Sequence, residues 1–370
     1  MSPVPMAAAM AFTTHTMMDK ADLQRFPVLR LDENIKLDLR KYASSKIRES
    51  VESTLENEIL YTDLDGIIDK TAYISVIKYM PDTNERICQT TISVAYLQYL
   101  WIICDIAIRT YDRIMATTEY DKTGVDIQAM IGFNERLLEM QKKDIVFAMY
   151  CYGYMIDVDK FLNQTKALNE LLKNSDFNDH INYKWELAKS LTSEGPGPNW
   201  DGLQTLNMNS YYGTKANSAF MKGAAFVLLH EHAHYALGHM TKTNKSFVDK
   251  QKEEKEADYE ALRVMLNDSP DEEKFSAATG ILATAFSFLF IWPSLQNDAH
   301  DPHERDDDRI FTLLDHIRNT PAWNPKFESM TVYLFNLWAR QNNIPDYPFP
   351  DWESPTALSD IQLFLATYNR

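Results

Sequence analysis

One short segment constrains this chain more than any other: Phe226–Val227–Leu228–Leu229–His230–Glu231–His232–Ala233–His234. Four apolar residues run straight into a cluster of imidazoles and a carboxylate. The segment reads as a helix that is buried at its entry. On such a helix His230 and His234 stand about 40° apart around the axis and one turn along it, so both rings can reach one point. A buried pair of imidazoles beside a carboxylate is costly without a partner, and a divalent cation is the partner this spacing suits. His230, Glu231 and His234 form the pattern His-Glu-x-x-His, in which the histidines hold Zn²⁺ and the glutamate serves as general base. Zinc acidifies a water molecule and polarises a carbonyl, and the carboxylate takes the proton. His232 lies about 200° round the helix from His230, and His239, nine residues on, about 180° round. Both are expected to face away from the metal as packing or polar-face residues.

A third ligand is expected from the next helix, which carries Glu253–Glu254–Lys255–Glu256–Ala257–Asp258–Tyr259–Glu260–Ala261. A charge run is ordinarily a solvated face. Here Ala257 and Ala261, four residues apart, let the helix approach a neighbour closely, and Glu254 and Asp258 share their face. Glu254 is therefore the expected ligand, with Glu253 and Glu256 as competitors. Asp258 is expected to accept the outward N–H of a ligand imidazole.

At this point the sequence resembles known families. His-Glu-x-x-His followed about twenty residues later by Glu-x-x-Ala-Asp is similar to zincins whose third ligand is a glutamate on a downstream helix. HtpX-like membrane proteases share the pairing and ImmA/IrrE-type proteases have a close variant. In that pattern the ligand is the Glu three residues before the Ala, which falls on Glu254. The segment His303–Glu304–Arg305–Asp306–Asp307–Asp308–Arg309–Ile310 is similar to the His-Pro…Arg-Ile segment of HtpX-like proteins, with Glu304 where those have Pro. His303, with Arg309 nearby, is read as stabilising the oxyanion, and His300 is the alternative. The chain also resembles the Lit-type phage-exclusion peptidases, specifically over Gly223 to Leu314. That likeness implies a cytoplasmic metallopeptidase acting on a host protein and linked to defence against phage. Two rival readings use the same residues: a zinc hydrolase of small amides or esters, and a non-enzymatic sensor whose metal site is structural and has a fourth protein ligand.

The rest of the chain limits the setting. With 37 basic against 53 acidic residues the net charge is −16, which repels phosphate backbones, so no nucleic-acid partner is expected. Three cysteines without a Cys-x-x-Cys pair fit a reducing cytoplasm better than a disulfide framework, and Cys151 is expected to be buried. Ile92–Ile108 contains Gln98 and Asp105, and Gly280–Trp292 is apolar for only about 13 residues. A membrane-spanning helix needs about 20, so both are expected to be core helices and no stable membrane insertion is expected.

A fold that is mainly α follows, with at most a small sheet and a zincin-like helical core. Residues 1–20 read as a mobile arm, 21–195 as a mostly helical N-terminal region, 196–344 as the catalytic region and 345–370 as an extended tail. The boundary is placed at Ser193–Glu194–Gly195–Pro196–Gly197–Pro198–Asn199, where Gly and Pro alternate. Predicted helices cover Arg40–Leu60, Thr91–Ala116, Ile127–Ala167, Asn217–Met240, Ser246–Leu266, Glu272–Ile291 and Glu304–Arg318. Thr71–Tyr79, β-branched and aromatic, reads as a strand. A strand able to align a peptide beside the metal helix should precede that helix, and His180–Ala188 is one candidate for it, although helix suits that segment nearly as well. Tyr211–Tyr212–Gly213 is a candidate for lining a substrate cleft, or else for the core.

Overall fold

The computed structural model describes residues 25–56, 59–69, 72–78, 86–123, 171–239, 245–267, 270–291 and 305–368, with scattered positions between 128 and 169. The expected N-terminal arm, most of Ile127–Ala167, and Cys151 lie outside the described residues.

After a 3₁₀ turn at Pro27–Leu31, the chain forms α1 (Asp32–Tyr42) and α2 (Arg48–Glu56). The single helix expected over Arg40–Leu60 is thus two. Ala43 is extended at the end of α1, a turn at Ser45–Ile47 separates the helices, and Leu60 opens a strand. The break between the helices buries apolar groups, since Ala43 and Ile47 are buried in the core.

Strands β1 (Leu60–Thr62), β2 (Ala72–Lys78) and β3 (Arg86–Ser93) form a sheet of order β1-β3-β2. β1 runs parallel to β3, and β2 pairs antiparallel with it from Ala72↔Ile92 to Lys78↔Arg86. β2 is the strand predicted from Thr71–Tyr79. β3 takes Thr91–Ser93 from the front of the next predicted helix, which begins at Val94 as α3 (Val94–Thr123). Thr90, Thr91 and Ile92 are β-branched and suit an extended backbone.

Further elements with described bounds are α4 (Asn174–Lys189), α5 (Trp200–Gln204), α6 (Tyr211–Ala236), α7 (Phe247–Leu266), α8 (Asp271–Ile291), α9 (Asp306–Arg318), α10 (Lys326–Gln341) and α11 (Ala357–Thr367). His180–Ala188 lies within α4, so that strand candidate is wrong. Its apolar residues Ile181, Trp185 and Ala188 recur at helical spacing and are buried. The C-terminal stretch from Pro345 is turns and irregular chain through Thr356 and then helical in α11, where an extended tail is expected from the prolines. Among the described residues the fold is mainly α with one small sheet.

Two features place α6 at the centre. Ser210 caps its start by accepting from Gly213 N–H at 3.0 Å. Along most of its length it is buried against α1, α3, α7 and α8. The close partner is α8. A Cβ on Gly280 would stand 2.2 Å from the Ala219 carbonyl oxygen, and one on Gly223 would stand 2.8 Å from Thr284 Oγ1. The two backbones cross where no side chain fits between them, which fixes the height and rotation of α6.

The stretch Glu273–Ile291 of α8 is long and apolar enough to cross a membrane by length and composition, yet 89% of it is buried within the protein. It therefore serves as a core helix here, as the sequence indicated. α3 is likewise buried. Within it Asp105 receives Arg109 Nε at 3.1 Å and Lys184 Nζ of α4 at 3.2 Å, which ties the two helices together. Tyr212 is core as well: it is buried, with Arg109 4.1 Å above its ring. It stands about 27 Å along the helix from His230, too far to line a cleft there.

Candidate metal centre

α6 delivers its histidines from a buried stem: Phe226, Val227, Leu228 and Leu229 are all at most 5% exposed. Each contributes roughly 1.5–3 kcal/mol by leaving water, so the helix is anchored immediately before the site. α7 begins with a reciprocal cap, in which the Ser246 side chain accepts from Asp249 N–H and Asp249 accepts from Ser246 N–H. Ala257 and Ala261, both fully buried, form the face that α7 turns to the core.

This packing brings His230, His234 and Glu254 together. His230 Nε2 and His234 Nε2 are 3.0 Å apart. Glu254 Oε2 is 3.2 Å from the first and 3.4 Å from the second. A tetrahedral zinc with bonds of about 2.0–2.1 Å has ligand atoms about 3.3 Å apart, so these three atoms have the size of one tetrahedral face. Two imidazole nitrogens and one carboxylate oxygen also form the donor set zinc prefers in sites that keep one position open. Among the described residues the cluster holds three ligand groups, not four.

The other carboxylates of α7 are engaged elsewhere. Glu253 pairs with Lys245 at 2.5 Å, and Glu256 Oε2 lies 3.2 Å from His239 Nε2. Asp258 Oδ1 lies 2.8 Å from His230 Nδ1, the contact expected of it. Arg309, from α9, donates to both Asp258 oxygens: Nε to Oδ2 at 2.9 Å and Nη2 to Oδ1 at 2.6 Å. Its guanidinium also lies 5.0 Å over the Phe288 ring. Arg309 thus reaches His230 on α6 through Asp258. His303 and its alternative His300 lie outside the described residues. Glu231 is half-buried on α6, one residue beyond His230.

The electrostatics follow from these contacts. Burial would lower the basicity of His230, but the Asp258 charge and the hydrogen bonds to Asp258 and Glu254 outweigh it and raise its pKa to about 10. Asp258 is nearly buried, which alone would raise its pKa. Arg309 and His230 instead hold it well below the usual carboxylate range. His232 is different. It is fully buried, its Nδ1 lies 3.0 Å from Ser50 Oγ, and burial pushes its pKa down to about 3. It joins α6 to α2 and turns away from the cluster, as the helical wheel indicated.

His239 does not follow the wheel. The helix stops at Ala236 instead of continuing to Met240, and Gly238 adopts φ +73°. The chain folds back and sets His239 Nδ1 3.1 Å from His234 Nδ1. The signal was present in the sequence: a glycine just past a helical run marks a C-terminal cap, after which helical angles no longer apply.

The Peptidase U49 family model matches residues 90–324, more than half of the chain and all of the elements that build this cluster. The chain belongs to the Peptidase U49 family. As a U49 peptidase it acts on protein, which meets the expectation of a protein-cleaving enzyme at family level. No curated protein and no solved structure matches the chain.

The contact between Asp258 and Arg309 gives this U49 peptidase a measurable dependence. Arg309→Met keeps an aliphatic side chain over Phe288 but withdraws both donors from a nearly buried carboxylate. Breaking a buried pair costs about 3–5 kcal/mol when the remaining charge has no other partner, and Asp258 keeps His230 Nδ1 at 2.8 Å, so the lower end of that range is expected. Denaturant unfolding of the metal-free protein should show a loss of that size. A loss below about 1 kcal/mol, the value of an exposed pair, would mean that α9 does not brace the site in this way.

Proposed function

We propose that this U49 chain is a zinc-dependent endopeptidase in which His230, His234 and Glu254 hold Zn²⁺ and Glu231 is the general base. The observation that carries the reading is the triangle of ligand atoms with sides of 3.0, 3.2 and 3.4 Å. Three protein ligands rather than four favour a catalytic over a structural metal. When bound, zinc would supply a Lewis acid that polarises the scissile carbonyl and acidifies a water. The protein's residues do the rest. Asp258, braced by Arg309, accepts the Nδ1 proton of His230 and leaves Nε2 bare for the metal. Glu231 takes the proton of the attacking water and delivers it to the departing amine. β2, the sheet edge that packs on α6, offers main-chain groups to an extended substrate strand.

The substrate is read as an intracellular host protein, the compartment as the cytoplasm and the setting as phage defence. These come from the resemblance to Lit-type phage-exclusion peptidases, which are themselves U49 peptidases. Elemental analysis of the purified protein should find about one zinc per chain. Cleavage of a protein in a host-cell lysate should stop on chelation and return on adding zinc. Undiminished cleavage by a protein stripped of metal would overturn the reading.

A further inference from the structure

We propose that His239 is a positioning residue of the metal centre: through His234 Nδ1 it fixes which nitrogen of the second ligand imidazole is bare and where that ring points. The inference rests on the zinc reading above and extends it to a residue outside the His-Glu-x-x-His pattern.

The first support is the turn. Gly238 N–H donates to the Tyr235 carbonyl at 3.1 Å and His239 N–H to the His234 carbonyl at 3.0 Å. With Gly238 in the left-handed region, this pair of bonds is a Schellman cap. It reverses the chain, so His239 returns over the last turn of α6. Its ring centre lies 5.1 Å from that of His234, with the planes at 70°. The turn is also tied down from outside. Lys245 Nζ donates to the His239 carbonyl oxygen and pairs with Glu253 on α7. The same two helices that supply the ligands therefore hold His239, which is only 8% exposed.

The second support is the direction of the hydrogen bonds. A carboxylate only accepts, so His239 Nε2, 3.2 Å from Glu256 Oε2, carries the proton and donates. In a neutral ring His239 Nδ1 is then a lone pair and must accept from His234 Nδ1–H at 3.1 Å. That leaves His234 Nε2 bare, and this atom is the one that faces His230 Nε2 and Glu254. The chain Glu256–His239–His234 thus dictates the metal-ready tautomer. It parallels Arg309–Asp258–His230 on the other ligand. The outward nitrogen of each imidazole has a partner, one a carboxylate and the other a second imidazole.

The test titrates zinc ion against a chromogenic chelator for wild type, His239→Leu and His239→Gln, with thermal unfolding of each metal-free protein alongside. Leu fills the space but cannot accept the hydrogen bond from His234 Nδ1–H, and should weaken zinc binding about 10–100-fold. Gln restores an acceptor and should recover most of that loss. Equal affinity in His239→Leu and wild type would overturn the proposal and leave the zinc reading intact. Equal losses in Leu and Gln would make the role one of packing and overturn it too. If His239→Leu does not fold, Glu256→Ala serves: it keeps the ring and removes the acceptor that orients it. Weaker zinc binding there supports the proposal, and unchanged binding overturns it. Failure of wild type to bind zinc at all is a different result, which removes the metal reading itself.

Discussion

Glu231→Gln should retain about one zinc per chain and lower protein cleavage by about 10³-fold, within the 10²–10⁴ range of positioned acid–base groups. The substitution keeps shape and hydrogen-bonding ability but removes the capacity to take a proton. Its position makes the comparison clean. Glu231 is half-buried between the buried His230 and His232, so the amide replaces it without opening a cavity in the helix stem. Metal content, helicity and melting temperature should therefore stay near wild type while turnover collapses. Turnover within a few-fold of wild type would remove Glu231 from the chemistry, and another group would have to accept the proton.

Glu254→Ala should have the second large effect, this time on the metal. At structural sites with four protein ligands, zinc-binding free energies of about 10–16 kcal/mol correspond to about 4 kcal/mol per ligand at the upper end, on the order of 10³-fold in affinity. The loss exceeds the tenfold to hundredfold effect expected from residues that only orient a ligand. It also removes the single anionic donor of the cluster. Glu253→Ala is the contrast, because Glu253 is spent on Lys245 and should leave zinc binding within a few-fold of wild type. Chelator competition on both variants decides the matter. Retention of zinc at wild-type affinity by Glu254→Ala would pass the role to a neighbouring carboxylate of α7. α7 itself should persist, since Ala257, Ala261, Leu262 and Met265 anchor it in the core.

How much was readable beforehand differs from element to element. The frames of α7, α8 and α9 were predicted to within about two residues at either end, because caps, prolines and apolar spacing act over one or two turns. The β2 strand was legible for the same reason: a run of β-branched and aromatic residues suits a pleated backbone. Sequence and structure part where one local signal competes with another or where tertiary packing overrides it. Gly238 ended α6 early and changed His239 from a bystander into a neighbour of His234. Thr91–Ser93 went into a strand because β3 pairs with both neighbours there. His180–Ala188 became helix because Ile181, Trp185 and Ala188 face one core.

The linear chain by itself determined that His230 and His234 share a face, that Glu231 stands between them, and that Glu254, Ala257, Asp258 and Ala261 line one side of the following helix. These are facts of 3.6-residue periodicity and need only one helix at a time. Only the tertiary structure decided which carboxylate of α7 meets the imidazoles, that Arg309 crosses 51 positions of sequence to grip Asp258, and that His239 closes on His234. The rotation and height of one helix against another come from how their surfaces interlock, here at the Gly223–Gly280 crossing and the Ala257–Ala261 face. No periodicity within a single helix carries that information.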